Sequence, residues 1–239
     1  MRERVKTIIG SSPIILVAPH GADDINTSII TEVAAKITNA YAVINQGFER
    51  AENVDEEKDL ANCNKVNHCK EPIIYEEFLK PIIKFKTQIL NKLNRNGIQF
   101  NTPVTIFYIH GCGNIVHKEA GEDVSLIVGF GLGNKKDSFT CEIWRKNLFI
   151  DSYRKFNFNG EVYEGKKGGK YSGRDSNNMN QYFKKHELDI LVDSLQLEFP
   201  FSVRSNDADA TTTGLKLASA IDNYMKHKSY SKSHVQKLI

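Results

Sequence analysis

The feature that most constrains this chain is a set of apolar runs with little or no polar alternation: "PIILVAP" (13–19), "PVTIFYIHG" (103–111) and "VSLIVGFGLG" (124–133). Successive strand residues point to opposite faces, so a strand with one wet face alternates apolar and polar side chains. A run that stays apolar is covered on both faces. Helical patterns fill the intervals. "NTSIITEVAAKITNA" puts Ile29, Ile30, Val33, Ala34 and Ile37 on one helical face, with Asn26 or Thr27 as N-cap. The segment 72–95 repeats Ile74, Phe78, Ile82, Phe85, Ile89 and Leu93 at helical spacing, and Pro81 predicts a kink in it. "YAVINQ" (41–46) reads as a further strand, "LDILVD" and "SLQLEFPF" follow late, and "TTTGLKLASAIDNYM" closes with a helix. The expected fold is α/β: a single domain over residues 1–239, with a central, mixed but mostly parallel sheet covered by helices on both faces. Between about 134 and 180 the chain turns polar and glycine-rich and reads as a long loop, a kind of segment that commonly carries function.

Composition removes several classes of function. A formal net charge of +3 on 239 residues, with lysines spread along the chain and no basic stripe interleaved with aromatics, gives no reason to expect a nucleic-acid partner. No apolar stretch approaches the ~20 residues that span a bilayer, so no membrane partner is expected. "MRERVKTIIGSSP" lacks the apolar core of a signal peptide. Cys63, Cys69, Cys112 and Cys141 form no CxxC pair, which argues against a structural zinc module and suits reduced thiols. The expected location is therefore cytoplasmic.

"GFGLGN" offers two glycines of a dinucleotide fingerprint, but Asn134 stands at the third position and no helix pattern follows, so it reads as a tight turn. "PHGADD" is more informative. In open α/β sheets functional groups gather at the carboxyl ends of strands. His20 follows one apolar strand and His110 closes another. Glu198 stands inside a third, where a carboxylate costs several kcal/mol unless it is paired, hydrogen-bonded or bound to metal. Catalytic zinc sites use about three N/O protein ligands and leave a position for water. His20, Asp23 and His110 meet that count, with Glu198 left over as general base for the water.

The blocks "PHG", "INQGFERAENVDEEKDLANCNKV", "FYIHG" and "LQLEFPFSVR", in that order, resemble the N-formylglutamate amidohydrolase family, which is similar in fold to zinc carboxypeptidases and phage poly-γ-glutamate hydrolases. The resemblance implies Zn2+ held by His20, a nearby acid and His110, with Glu198 as general acid/base. By position the acid is Asp23, although Asp24 remains an alternative and would otherwise cap the helix that follows. "DLANCNKV" resembles the carboxylate-binding "DLNR" of the family, so Asn64 and Lys65 are implied in substrate binding. Lysine cannot make the planar bidentate clamp of arginine, and Arg50 or Arg204 could supply it instead. Arg174 lies in the polar loop where the family keeps residues near its substrate. His117 could line the cleft, whereas His68, His186, His227 and His234 read as surface residues. The implied activity is metal-dependent hydrolysis of an amide bond near a carboxylate, on a small-molecule or peptide-like substrate. The alternative is a binding or regulatory module that keeps the fold without turnover.

Overall fold

The computed structural model describes residues 3–50, 61–95, 103–114, 123–133, 139–157, 160–188 and 191–228; His117 and His234 lie outside them. Seven strands form one sheet: β1 (Val5–Ile8), β2 (Ile14–Ala18), β3 (Tyr41–Asn45), β4 (Val104–Cys112), β5 (Val124–Gly129), β6 (Glu161–Glu164) and β7 (Val192–Pro200), in the order β1-β3-β2-β4-β7-β5-β6. The interior pairs β3-β2, β2-β4 and β4-β7 are parallel, as is β5-β6. The pairs β1-β3 and β7-β5 run antiparallel, so the sheet is mixed. β7 takes in most of the segment "SLQLEFPF" and the last two residues of "LDILVD".

Each face has its own core. On one side Ile14, Leu16, Ile44, Phe107, Ile109, Leu195, Leu197 and Phe199 pack under helices α1 (Thr27–Thr38), α5 (Ile143–Phe156) and α7 (Asp207–Lys228). On the other, Ile15, Val17, Val43, Ile106 and Tyr108 meet the helical run 72–95, in which Ile74, Phe78, Ile82, Phe85 and Ile89 are buried as their spacing predicts. Full burial of such a side chain contributes roughly 1.5–3 kcal/mol, which makes these two layers the main source of stability. The short helices α2 (Val66–Cys69) and α6 (Tyr182–Lys185) close the second layer. Ahead of Pro81, where a kink is expected, a π-helical turn, Tyr75–Leu79, stands between α3 (Pro72–Ile74) and α4 (Lys80–Arg95); the Lys80 N–H reaches back to the Tyr75 carbonyl. Proline offers no N–H to the carbonyl four residues earlier, and a π turn just before it accommodates that gap.

Three expectations need correction. The buried face of α1 is Thr27, Ile30, Thr31, Ala34, Ala35 and Thr38, and Ile37 is 46% exposed. The threonine hydroxyls made this possible by bonding to carbonyls of the preceding turn or loop, which removes the cost of burying them. Asn26 takes the N-cap position in left-handed conformation, but its side chain makes no cap bond and donates to the Arg204 carbonyl instead. The stretch 134–180 is not one loop: among its described residues it contains α5 and β6. Gly129 ends β5, and a Cβ there would collide with the Tyr171 carbonyl; the bare backbone lets the 171–172 segment seat against the sheet. No helix among the described residues is long and apolar enough to cross a membrane.

Candidate metal centre

The carboxyl ends of β2, β4 and β7 lie side by side. Val17 pairs with Tyr108, so the chain leaving β2 comes level with His110, and His110 pairs in register with Glu198 on β7. The turn after β2 folds back on itself, with the N–H groups of Asp23 and Asp24 both donating to the His20 carbonyl (2.9 and 2.6 Å). That turn brings residue 24, not residue 23, beneath the His20 ring. His20, Asp24 and His110 are all buried, and one ligand-capable atom from each lies within 4.8 Å of the others.

Asp23 therefore stands outside the cluster where the spacing argument placed it. Its carboxylate is buried against Arg50, accepting the Arg50 backbone N–H at 2.9 Å and lying 3.4 Å from Nε. Arg50 in turn donates from Nη2 to Asp24 Oδ1 at 3.0 Å, so it spans both acids and orders the inner one. Asp24 does not cap α1 with its side chain. Its Oδ2 accepts the Gly111 N–H at 2.9 Å and lies 3.4 Å from His20 Nδ1. Burial alone would raise the Asp24 carboxyl, but the His20 contact and charge, the charge of His110 and the Gly111 N–H outweigh it and hold it at about 2.

The other face of His20 fixes its protons. His20 Nε2 lies 2.8 Å from Asn62 Oδ1, and the Asn64 backbone N–H donates to the same oxygen at 3.0 Å. An atom that accepts from a backbone N–H is the amide oxygen, so His20 Nε2 must be the donor to it. His20 Nδ1 then faces Asp24 either as an imidazolium N–H or as a lone pair, and in the second case a cation between the two would satisfy both. His110 is buried, and its Nε2 has no hydrogen-bond partner among the described residues. Burial and the charge of His20 depress its pKa to about 3, so it stays neutral, the form in which imidazole binds metal. Two imidazoles and a carboxylate are the donor set of a catalytic zinc site, and they fit one ion here.

These groups form the floor of a cleft of about 770 Å³. Glu198 lies in it at the end of the polar face of β7, which also carries Ser194 and Gln196, opposite the apolar face of Leu195, Leu197 and Phe199. Asn178 donates to Gln196, which donates to Glu198 Oε1 at 2.6 Å. Burial pushes the Glu198 carboxyl up to about 8 against that hydrogen bond, with the Asp24 charge adding to the rise. Asn64 and Lys65 line the cleft; Lys65 pairs with Asp175 at 3.1 Å on the exposed rim, where such a pair contributes little. Arg174 is exposed at the wall beside Gly168, and Lys170 joins it.

Arg204 also touches the cleft, but its guanidinium is spent on the fold. Nε donates to the Phe199 carbonyl (2.9 Å), Nη1 to Ile25 (2.6 Å) and Nη2 to Cys112 (3.0 Å). It ties the turn after β2 to the ends of β4 and β7, and a Cβ on Gly111 would land inside its guanidinium. The expectation that Arg204 clamps a substrate carboxylate gives way to a structural role. Sequence reasoning also missed Asn62, Gln196 and Lys170. His68, read as a surface residue, is half-buried and accepts the Asn62 N–H on Nδ1 at 3.1 Å. All four cysteines are buried and free.

The sequence matches no protein-family model and no curated protein. Solved structures do match. N-formylglutamate amidohydrolase from Ralstonia eutropha superposes with a TM-score of 0.51 at 12% identity, over 98% of this chain and 100% of that one. A bacteriophage poly-γ-glutamate hydrolase gives 0.52 at 12% identity, over 93% and 89%. A metallo-carboxypeptidase from Burkholderia cenocepacia gives 0.53 at 12% identity, over 93% of this chain and 60% of that one. This chain has their fold. At such identities the likeness extends to the zinc-exopeptidase-like architecture and stops there, and the chemistry rests on the residues described above.

Proposed function

We propose that this protein is a zinc-dependent amidohydrolase that cleaves an amide bond near a carboxylate. The observation that carries the reading is the convergence of His20, Asp24 and His110, all buried, on one point beside Glu198 in an open cleft. A zinc ion held by these three residues would supply the positive charge that polarises a carbonyl and acidifies water. Glu198 is the proton carrier: it accepts the proton of the attacking water and delivers it to the leaving nitrogen. Its elevated pKa matches that task in direction, since a nearby dication lowers a carboxyl that burial has raised, leaving a base that works near neutral pH.

Specificity follows from which cations are free. Arg50 is committed to Asp23 and Asp24, and Arg204 to three carbonyls. Among the described residues, Arg174 and Lys170 on the cleft wall are left to receive a substrate carboxylate, and Asn64 and Lys65 also line the cleft. A glutamate-derived substrate, as named for two of the structures that share the fold, carries such a carboxylate.

The test is hydrolysis by zinc-loaded protein of N-formylglutamate, a γ-glutamyl oligomer and a dipeptide, each beside its carboxamide analogue. The acid is expected to be cut and the amide analogue spared. Glu198→Gln should keep zinc and lose on the order of 10²-fold or more in kcat. Undiminished turnover by a zinc-loaded Glu198→Gln protein would sink the mechanism. A protein that neither takes up zinc nor hydrolyses any of the three would favour a non-catalytic binding module.

A further inference from the structure

We propose that Asn62 is the positioning residue of the centre: its side-chain oxygen fixes the proton of His20 on Nε2 and so turns Nδ1 toward Asp24 and His110. The proposal rests on the metal reading above for its effect on affinity, but the contact itself does not.

Asn62 is a poor candidate for a merely structural polar group, because three separate hydrogen bonds determine its pose. The Asn64 N–H and the His20 Nε2–H both end on its Oδ1, at 3.0 and 2.8 Å, and its own backbone N–H ends on His68 Nδ1 at 3.1 Å. The first of these forbids the flipped amide, which would place two donors face to face. The last anchors the main chain of the residue through a side chain six positions later, which itself sits in α2. Asn64 and Met179 extend the anchor, with the Met179 N–H donating to the Asn64 carbonyl at 3.0 Å, so the loop carrying Asn62 is tied to the segment that leads into α6.

The consequence is specific to an amide at this place. A metal-binding imidazole usually donates its second N–H to a carboxylate, a carbonyl or water, and loss of that partner typically costs 10- to 100-fold in metal affinity. A carboxylate also makes the imidazole a stronger donor to the metal. An amide oxygen orients the ring without that electronic gain. Asn62 therefore sets the ring geometry of His20 without placing a second charge beside it.

Two substitutions test this. Asn62→Leu keeps similar bulk and removes the acceptor; Asn62→Asp restores an acceptor and adds charge. The Nε2–H proton of His20 is read by NMR in metal-free protein, and the zinc dissociation constant by competition with a chelator. The wild type should show a Nε2–H signal protected from solvent exchange. Asn62→Leu should lose that protection and bind zinc 10- to 100-fold more weakly, with a melting temperature that excludes global unfolding, and Asn62→Asp should bind at least as tightly as wild type. Unchanged protection and unchanged affinity in Asn62→Leu would overturn the proposal, as would a wild-type His20 without a proton on Nε2. A wild type that shows the protected proton yet binds no zinc would refute the metal reading and the affinity effect with it, leaving only the proton assignment.

Discussion

Replacing Arg204 with methionine separates a structural role from a substrate role. Methionine fills similar space and leaves the carbonyls of Phe199, Ile25 and Cys112 without their donors. A buried acceptor stranded in this way costs about 1–3 kcal/mol, so three of them amount to several kcal/mol. Part of that is returned, because a buried guanidinium carries its own desolvation penalty, which the apolar side chain avoids. A net loss on the order of 3 kcal/mol is expected. For a chain of this size each kcal/mol moves the melting temperature by about 2–4 °C, which gives a fall of roughly 6–12 °C. Urea and thermal unfolding of metal-free protein measure it without any substrate. Arg204→Lys should recover little, since one ammonium cannot replace a fork aimed at three carbonyls. Unfolding of Arg204→Met indistinguishable from wild type would refute the clamp and return Arg204 to the candidates for substrate binding.

Asp24→Asn should weaken zinc binding far more than Asp23→Asn, whose main effect is to loosen Arg50; isothermal titration of the two variants decides, and the reverse order would exchange their roles. Stability of the metal-free protein should fall as pH rises from about 4.5 to about 8, because folded Glu198 holds its proton up to about 8 while the unfolded carboxyl releases it near its ordinary value of 4.5. Glu198→Gln should remove that slope, and urea midpoints across the range would show it. Arg174→Ala should leave the unfolding free energy within about 0.5 kcal/mol of wild type, as for an exposed side chain, and raise KM for the acidic substrate; an unaltered KM would rule Arg174 out as its anchor.

The sheet was legible because β2, β3 and most of β4 are apolar at nearly every position, the pattern of strands covered on both faces. His20, His110 and Glu198 could be found for the same reason, each being a polar group at or near the end of an apolar strand. What the sequence hid depends on local geometry. Asp23 and Asp24 are chemically equivalent in the string, and only the turn that sends both N–H groups to the His20 carbonyl decides between them. α5 escaped because charged residues interrupt its apolar positions and a basic residue, Lys146, is buried on it, paired with Glu164 on β6. The face of α1 was misjudged because buried threonines with satisfied hydroxyls behave as core while Ile37 does not. Arg204 and Asn62 declare their roles only through partners distant in sequence, the carbonyls of Ile25 and Cys112 for one and the ring of His20 for the other.

The proposed metal ion is held jointly by His20 and Asp24 from the turn after β2 and His110 from the end of β4. Zinc per chain, measured by plasma mass spectrometry after dialysis against a zinc buffer, tests it most directly when wild type is set beside the His20→Ala, His110→Ala double variant. One zinc per wild-type chain and none in a folded double variant is the predicted result; full occupancy in the double variant, or none in the wild type, would contradict it.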